Sequence, residues 1–183
     1  MKDVAGQLAH PGSVGIVPTD TVYGIVARAE DKAAVERLYE LKHRVNKPGT
    51  LIAANLKQLE ELGLKHRYLK AVEQFWPGAI SVVIPVGDPK LAYLHRGKQS
   101  LAVRIPRQGQ LKKVLLKTGP LLTSSANPPE APPAVNLMQA KAYFHNEVDF
   151  YEDGGDLSDR KPSTIIRVVD DAIEVLRQGD EKV

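Results

Sequence analysis

The sequence predicts a mixed α/β or α+β fold, and three observations support this prediction. Short apolar segments typical of buried strands alternate along the chain with segments whose apolar residues recur at helical spacing. The segment "STIIRVVDDAIEVLR" contains two strand-like runs joined across Asp170-Asp171, which indicates an antiparallel hairpin. The sequence has no internal repeat and no linker long enough to separate domains. We therefore expect a single domain over residues 1–183.

The predicted strands share apolar, often β-branched residues and stop at Pro, Gly or a group of polar residues. They lie at residues 13–18, 50–56, 79–86, 100–106, 120–127, 163–169 and 172–179.

The first predicted helix begins after Asp31, a residue type that caps helix N-termini, and its apolar face comprises Ala34, Val35, Leu38 and Leu41. The other predicted helices lie at about residues 56–62, 66–75, 107–117 and 135–144. A polar segment at 87–99 is predicted to be mobile, and residues 128–134 are predicted to form a proline-rich loop. Both are candidates for closing over a site.

Composition excludes several classes of protein. No apolar run approaches the ~18 residues that span a bilayer, and the N-terminus lacks the apolar region of a signal peptide, so we expect a soluble, cytoplasmic protein. The absence of cysteine excludes disulfides, thiolate nucleophiles and cysteine zinc sites. A net charge of +3 and a pI near 9.0 suit an anionic ligand or a nucleic acid without selecting either.

Common catalytic motifs are missing from the sequence. It contains no P-loop, no H-E-x-x-H, no G-x-S-x-G and no dinucleotide-binding G-x-G-x-x-G. Its five histidines show no ligand spacing, and the S-x-x-K match at Ser158 lies in an acidic loop that is a poor place to activate a serine. Any nucleotide site is therefore unconventional.

The segment "LKHRVNKPG" concentrates the cations Lys42, Arg44 and Lys47 after a predicted helix. One interpretation is that they are solvated residues favoured by the negative end of the helix dipole. The other is that they converge on a polyphosphate, the arginine as a planar fork and the lysines as point charges. The segment alone leaves both interpretations open.

Two predicted strands end in clusters of hydroxyl-bearing residues. "PTDTVYG" supplies Thr19, Thr21 and Tyr23, and "LLTSSAN" supplies Thr123, Ser124, Ser125 and Asn127. Such residues either stabilise turns or, at strand ends, bind small ligands. Arg104, within an apolar strand, must face solvent or meet an anion, and Arg177 has the same ambiguity.

Taken in order, "PTDTVYG", "LKHRVNKPG", "WPG", "SLAVRIP", "TSSAN", "PSTII" and "LRQG" resemble the YrdC/TsaC family of L-threonylcarbamoyladenylate synthases. The resemblance covers about residues 10–179 and includes the K-x-R and S-x-N signatures of the family, as Lys42-His43-Arg44 and Ser125-Ala126-Asn127. The chain resembles the short bacterial form.

This resemblance implies a twisted mixed sheet flanked by helices around a large, positively charged concave cavity. It implies an enzyme that joins L-threonine, bicarbonate or carbon dioxide, and ATP into threonylcarbamoyl-AMP and pyrophosphate, for N6-threonylcarbamoyladenosine formation in tRNA. Mg²⁺ is expected to arrive with ATP rather than in a resident metal site. Implied partners are tRNA or double-stranded RNA and proteins of the TsaD, TsaB and TsaE type, with no membrane.

The resemblance also assigns individual residues. Those implied to surround L-threonine are Thr21, Arg104, Thr123 and Ser163. Those implied to surround ATP are Lys42, Arg44, Lys47, Ser100, Ser125, Asn127 and Arg177, with Lys42 and Arg44 also implied to be catalytic. Tyr23 is expected to line the cavity. The sequence departs from the family pattern at Val45, Ile52 and Pro128-Pro129-Glu130.

Two alternative functions were weighed against the synthase. A non-enzymatic RNA-binding module would suit the basic pI, but aromatic residues make up only 5% of the chain, few for base stacking. A carbamoyl-transfer role like that of the related domain in hydrogenase-maturation proteins would need further domains that this sequence lacks.

Overall fold

The computed structural model describes residues 3–43, 47–107, 109–170 and 172–183. Arg44 and Val45, both singled out above, lie outside the described residues. The strands are β1 (Val14–Pro18), β2 (Tyr23–Arg28), β3 (Thr50–Ile52), β4 (Ile80–Pro85), β5 (Ser100–Arg104), β6 (Leu121–Ser125), β7 (Phe150–Tyr151), β8 (Thr164–Val169) and β9 (Ala172–Arg177).

These strands form one mixed sheet in the order β7-β1-β2-β6-β3-β5-β4-β8-β9. The pairs β1–β7, β3–β5 and β4–β8 are parallel, and the other neighbours are antiparallel. The predicted hairpin across residues 170–171 is confirmed as β8 and β9. Strand β2 was not predicted, because the sequence analysis treated residues 19–24 only as a polar strand end.

The helices are α1 (Val4–Ala9), α2 (Lys32–Leu41), α3 (Leu56–Glu61), α4 (His66–Val72), α5 (Ala92–His95), α6 (Gln110–Thr118) and α7 (Leu137–Phe144). Two short 3₁₀ helices occupy Glu73–Phe75 and Pro89–Leu91. The segment 87–99, expected to be polar and mobile, contains a 3₁₀ turn and α5, in which Leu91 and Leu94 are buried.

The polar caps of the helices fix where they begin. The Asp31 carboxylate accepts a hydrogen bond from the Ala34 N–H at 3.0 Å, as the sequence predicted for α2. Asn55 and Asn136 cap α3 and α7 in the same way. The apolar face of α2 is buried as predicted at Ala34, Val35 and Leu38, while Tyr39 is also buried.

Apolar side chains form a core on each face of the sheet. One core joins β1–β6 and β8 to the layer that contains α2, α3, α4 and α7. The second, smaller core packs α1 and α6 onto Val17, Val26, Ile52 and Leu121. Helices α1 and α6 therefore cover only part of their face of the sheet.

Beyond these two helices the strands carry small or polar residues on the same face. Because side chains alternate along a strand, Gly24, Thr50, Thr123 and Ala102 project to the side of Val26, Ile52 and Leu121. The part of the sheet that α1 and α6 leave uncovered is thus the floor of a cleft.

Candidate active site

The cleft lies on this uncovered face and encloses about 700 Å³ when its open mouth is included. Its walls are the turn between β1 and β2, the segment Lys47–Gly49, and the edge formed by β8 and β9. Seven residues assigned from the sequence line it, and they come from both implied substrate groups: Thr21, Lys47, Arg104, Thr123, Ser125, Ser163 and Arg177.

Three other assigned residues do not line the cleft. The Ser100 hydroxyl donates to the Lys98 carbonyl at 3.4 Å. Lys42 and Asn127 lie behind the cleft wall, where they bond to each other. Ile52, the position of a departure from the family pattern, is fully buried under α1 and α6 and so contributes no wall to the cleft.

Lys42 follows the last turn of α2 and has only 3% of its surface exposed. Its ammonium group donates to the Ser125 carbonyl at 2.7 Å, to the Asn127 side-chain oxygen at 3.0 Å and to the Asn127 carbonyl. A lysine ammonium has three donors, so these contacts use all of them. In this conformation Lys42 organises the S-x-N turn instead of facing the cleft.

Asn127 completes the same network from the other side. The Ser125 hydroxyl donates to Asn127 Oδ1 at 2.6 Å, and Asn127 Nδ2 donates to the Ala131 carbonyl at 2.7 Å. The K-x-R lysine and the S-x-N turn are therefore one hydrogen-bonded unit. Asn127 Nδ2 also donates to the Pro128 carbonyl. The Pro128-Pro129-Glu130 segment, which differs from the family pattern, therefore begins at this network.

The turn between β1 and β2 is held by its own hydroxyls. Thr19 Oγ1 donates to the Val22 carbonyl at 2.6 Å, accepts from the Thr21 N–H at 3.1 Å and lies 3.0 Å from Thr21 Oγ1. The residues that build this turn also line the cleft, so the turn and ligand interpretations of "PTDTVYG" both apply.

Arg104 pairs with Asp20 of that turn across the sheet. Arg104 Nη1 lies 2.5 Å from Asp20 Oδ1, and their side chains are 4% and 14% exposed. Arg104 was predicted to face solvent or to meet an anion, and the structure supplies an anion from 84 residues away in the chain. The pair connects the turn to the centre of the sheet.

The opposite wall is built by serine hydroxyls and an arginine. Ser163 Oγ lies 2.9 Å from Ser81 Oγ, and Arg177 Nη2 donates to the Ser163 carbonyl at 2.7 Å. The backbone of Gly179 passes so close that an added Cβ would lie 2.1 Å from the Pro162 carbonyl oxygen. Glycine at position 179, in "LRQG", therefore allows the backbone of this segment to pack against the backbone of Pro162 and Ser163.

Tyr23 has a structural role. Its hydroxyl donates to the Gly155 carbonyl at 2.9 Å and accepts from the Gly154 N–H at 2.8 Å. Burial raises the pKa of the phenol above its usual value of 10.0, so it stays neutral at physiological pH. Tyr23 is among the residues that line the cleft, as expected, although its side chain is fully buried.

Sequence analysis missed Gly24, Thr50, Ala102 and Ser81. Thr50 pairs with both Thr123 and Ala102 in the sheet, so the register of β3 brings it to the cleft floor. A Cβ on Gly24 would meet Thr123 Oγ1 at 2.7 Å, so glycine there keeps the floor open. Only the strand register, which the sequence does not reveal, identifies these positions.

Within the described residues, no three His, Cys, Asp or Glu side chains lie together as potential ligands of a metal ion. Asp20 accepts from Arg104 and from the Arg107 N–H at 3.2 Å.

The family model of Sua5, YciO and YrdC, described as "Telomere recombination", matches residues 7–179. The chain belongs to the Sua5/YciO/YrdC family. The resemblance stated from the sequence motifs and the mixed sheet flanked by helices that it implies are both confirmed.

Two relatives of this family are especially informative. The threonylcarbamoyl-AMP synthase of Pseudomonas entomophila is 32% identical over 178 residues, which cover 96% of this chain and 95% of that protein. The structure of Pyrococcus abyssi Sua5 complexed with L-threonine has a TM-score of 0.81 at 28% identity and covers 96% of this chain and 52% of its own.

A more distant likeness concerns the fold alone. Full-length HypF, in a phosphate- and nucleotide-bound form, has a TM-score of 0.84 at 17% identity over 98% of this chain and 29% of its own. Among the described residues, no helix is both long and apolar enough to span a membrane.

Proposed function

We propose that this chain is a threonylcarbamoyl-AMP synthase, which joins L-threonine, bicarbonate or carbon dioxide, and ATP into threonylcarbamoyl-AMP with release of pyrophosphate. One observation carries the proposal: residues assigned to the amino acid and residues assigned to ATP line a single cleft. Relatives that match almost the whole chain carry this name, which supports the same activity.

The amino-acid end of the cleft is proposed to comprise Thr21, Arg104, Thr123 and Ser163. Arg104 supplies a guanidinium for the substrate carboxylate, and guanidinium–carboxylate pairs are directional and strong. Thr21 and Ser163 flank it with hydroxyls. A pocket with hydroxyl partners can distinguish a hydroxylated amino acid from its apolar analogue.

The nucleotide end is proposed to comprise Arg44, Lys47, Ser125 and Arg177. Lys47 and Arg177 are exposed residues that line the cleft, where their positive charges favour a bound phosphate. Mg²⁺ is proposed to enter with ATP as part of the substrate, where it would offset the negative charge of the phosphates. Lys42 and Asn127 support this end through the turn that carries Ser125.

The proposed reaction forms two bonds in sequence. The neutral threonine amine attacks the carbon of carbon dioxide and releases a proton to leave a carbamate. With bicarbonate as the carbon source, the amine proton and the departing hydroxide leave together as water, and the same carbamate forms. A carbamate oxygen then attacks the α-phosphorus of ATP, and the bond from that phosphorus to the pyrophosphate oxygen breaks. Neither step needs an enzyme nucleophile, so the contribution of the chain is alignment and neutralisation of charge.

Pyrophosphate release tests the proposal. The wild-type chain is expected to release pyrophosphate only when L-threonine, bicarbonate and MgATP are all present. Arg44→Ala is expected to reduce this rate at least about a hundredfold, the usual effect of removing one transition-state donor. Arg67→Ala, which changes an exposed arginine on α4, is the matched control and should retain the rate.

Two outcomes would contradict the proposal. Release of pyrophosphate that does not depend on threonine would remove the amino acid from the reaction. Binding of RNA without any threonine-dependent turnover, and without an effect of threonine on the affinity for ATP in titration calorimetry, would favour the RNA-binding module.

The fate of the product extends this proposal. We propose that proteins of the TsaD, TsaB and TsaE type consume threonylcarbamoyl-AMP to modify tRNA. Direct contact of this chain with tRNA or double-stranded RNA, and a cytoplasmic location, stay predictions.

A further inference from the structure

Asp20 is the acidic residue of the "PTDTVYG" motif, and the proposed chemistry above gives it no role. It lies in the turn between β1 and β2, which reaches across the sheet toward β5. Its Oδ1 accepts from Arg104 Nη1 at 2.5 Å, and its Oδ2 accepts from the Arg107 N–H at 3.2 Å. One carboxylate therefore holds both the Arg104 side chain and the backbone after β5.

The pair leaves part of the arginine unused. A guanidinium can bind a carboxylate side-on through Nε and Nη2, and Asp20 takes Nη1 instead. Within the described part of the chain, Arg104 Nε is buried and has no hydrogen-bond partner. An unsatisfied buried donor is unfavourable, and a ligand carboxylate at this edge would satisfy it.

The surroundings of Arg104 favour such a ligand. Arg104 lines the cleft together with Thr19 and Thr21, the two residues on either side of Asp20. The ion pair therefore fixes the guanidinium and the hydroxyl-bearing turn relative to each other. If the pair were lost, both groups could move, since the turn would lose its contact with β5.

We propose that Asp20 is a positioning residue for the amino-acid substrate, which orients Arg104 and holds the Thr19–Thr21 turn over the cleft. The inference rests on the proposed function for the identity of the substrate. It concerns the amino-acid end only, because Asp20 has no contact with the Lys42–Ser125–Asn127 network in the described residues.

Steady-state kinetics of two Asp20 variants test this proposal. Asp20→Ala is expected to raise the KM for L-threonine roughly tenfold or more, as expected when a charge-assisted hydrogen bond is lost, and to change the KM for ATP less than about twofold. Asp20→Asn keeps an oxygen that can accept from Nη1, so its threonine KM is expected to lie between those of the wild type and Asp20→Ala.

The Glu36–Arg96 ion pair provides a matched control. Its Arg96 Nη1 to Glu36 Oε2 distance is also 2.5 Å, but it lies on the opposite layer, where α2 and α5 pack. Glu36→Ala is expected to leave both KM values unchanged. Equal increases in the KM values for threonine and ATP in Asp20→Ala, or no increase in either, would overturn the proposal.

Hydrogen exchange without substrates separates failure of this inference from failure of the proposed function. Asp20→Ala is expected to speed exchange of the Arg107 amide, which loses its acceptor, and of the Thr21 amide in the released turn. Unchanged exchange at both amides would overturn the positioning role even if the wild type proved inactive with threonine. The same measurement on Asp20→Asn serves if Asp20→Ala does not fold.

Discussion

Lys42 illustrates how one side chain joins two sequence signatures. Its buried ammonium group donates to oxygens of Ser125 and Asn127. A buried cation is tolerated only when its donors are satisfied, so this arrangement makes the position of the S-x-N turn depend on Lys42. The residue-scale consequence is that Lys42 supports Ser125 at the cleft without itself lining it.

Lys42→Met tests this dependence, because methionine keeps an unbranched side chain and removes the donors. The variant is expected to lose roughly 1–3 kcal/mol of unfolding free energy, since buried acceptors lose their partners. Amides of residues 126–134 are expected to exchange faster than in the wild type. Chemical denaturation and hydrogen exchange measure the two effects.

Lys57→Met is the control, since Lys57 is an exposed residue that pairs with Glu61 one helical turn away. Lys57→Met should change neither the unfolding free energy nor the exchange rates of the amides of residues 126–134 appreciably. If Lys42→Met lost activity while the stability and exchange of the turn stayed unchanged, Lys42 would act by direct contact with ATP, as the sequence resemblance implied.

At the scale of elements, two carboxylates fasten α2 to β1. Asp31 caps α2 and also accepts from the Gly12 N–H at 2.7 Å, just before β1. Asp149 accepts from the Val14 N–H of β1 at 2.8 Å and from Arg37 of α2 at 2.5 Å. These contacts fix the beginning and the middle of α2, the helix that leads to Lys42, relative to the strand that leads into the cleft.

These carboxylates make the stability of the fold sensitive to acid. Burial acts to raise the pKa of each carboxyl group, but hydrogen bonds and charge outweigh it. The Ala34 and Gly12 N–H groups lower the pKa of Asp31 below 3.8. The Val14 N–H group and Arg37 do the same for Asp149. A group whose pKa is lowered on folding contributes stability above its unfolded pKa and loses it as the pH falls through the folded value.

The unfolding free energy is therefore expected to fall as the pH drops below about 4. Asp31→Asn and Asp149→Asn should be less stable than the wild type near neutral pH and should lose less stability on acidification. Urea denaturation at a series of pH values measures both effects. Asp159→Asn, in an exposed loop, is the control. If the unfolding free energy of Asp31→Asn declined with acid as steeply as that of the wild type, this explanation would be contradicted.

At the scale of the whole molecule, strand β9 differs from the rest of the sheet. It is the last strand in the sheet order, and every residue of it is exposed, whereas four of the five residues of β6 are buried. Because Arg177 lies on β9, one wall of the cleft is built by an element with few buried contacts. Such elements open at a lower free energy than a core strand does.

Hydrogen exchange is expected to show this difference. Amides of β9 should exchange at least about a hundredfold faster than those of β6 in the free protein. Addition of MgATP should slow the exchange of the β9 amides, since Arg177 is proposed to belong to the nucleotide end. Equal protection of the two strands would show that the hairpin opens only with global unfolding. An unchanged exchange rate of the β9 amides at saturating ATP would contradict the assignment of Arg177.

Much of this architecture could be predicted from the sequence, because periodicity and capping are local signals. The apolar face of α2, its Asp31 cap and the β8–β9 hairpin follow from neighbouring residues. Strand β2 was missed because Tyr23 and Gly24 follow a polar turn, and the partners of the Tyr23 hydroxyl lie more than 130 residues away.

The residues of the cleft also fall into those that local motifs predict and those that only long-range contacts reveal. Motif order pointed to seven of the residues that line the cleft, since they occur in recognisable strings, but it could not distinguish residues that face the cleft from those that support it. Lys42 and Asn127 lie behind the wall, and Thr50 lies in the floor, because of strand register and long-range hydrogen bonds. These depend on the complete sheet and leave no local signal.

The polar networks at the two ends of the cleft share no side chain among the contacts of the described residues: Lys42, Ser125 and Asn127 form one, and Asp20 with Arg104 forms the other. Energetic effects at sites without common partners usually add. Under the proposed assignment of the two ends, substitutions in one set of side chains can therefore alter selectivity for the amino acid while the other set keeps its contacts with the nucleotide.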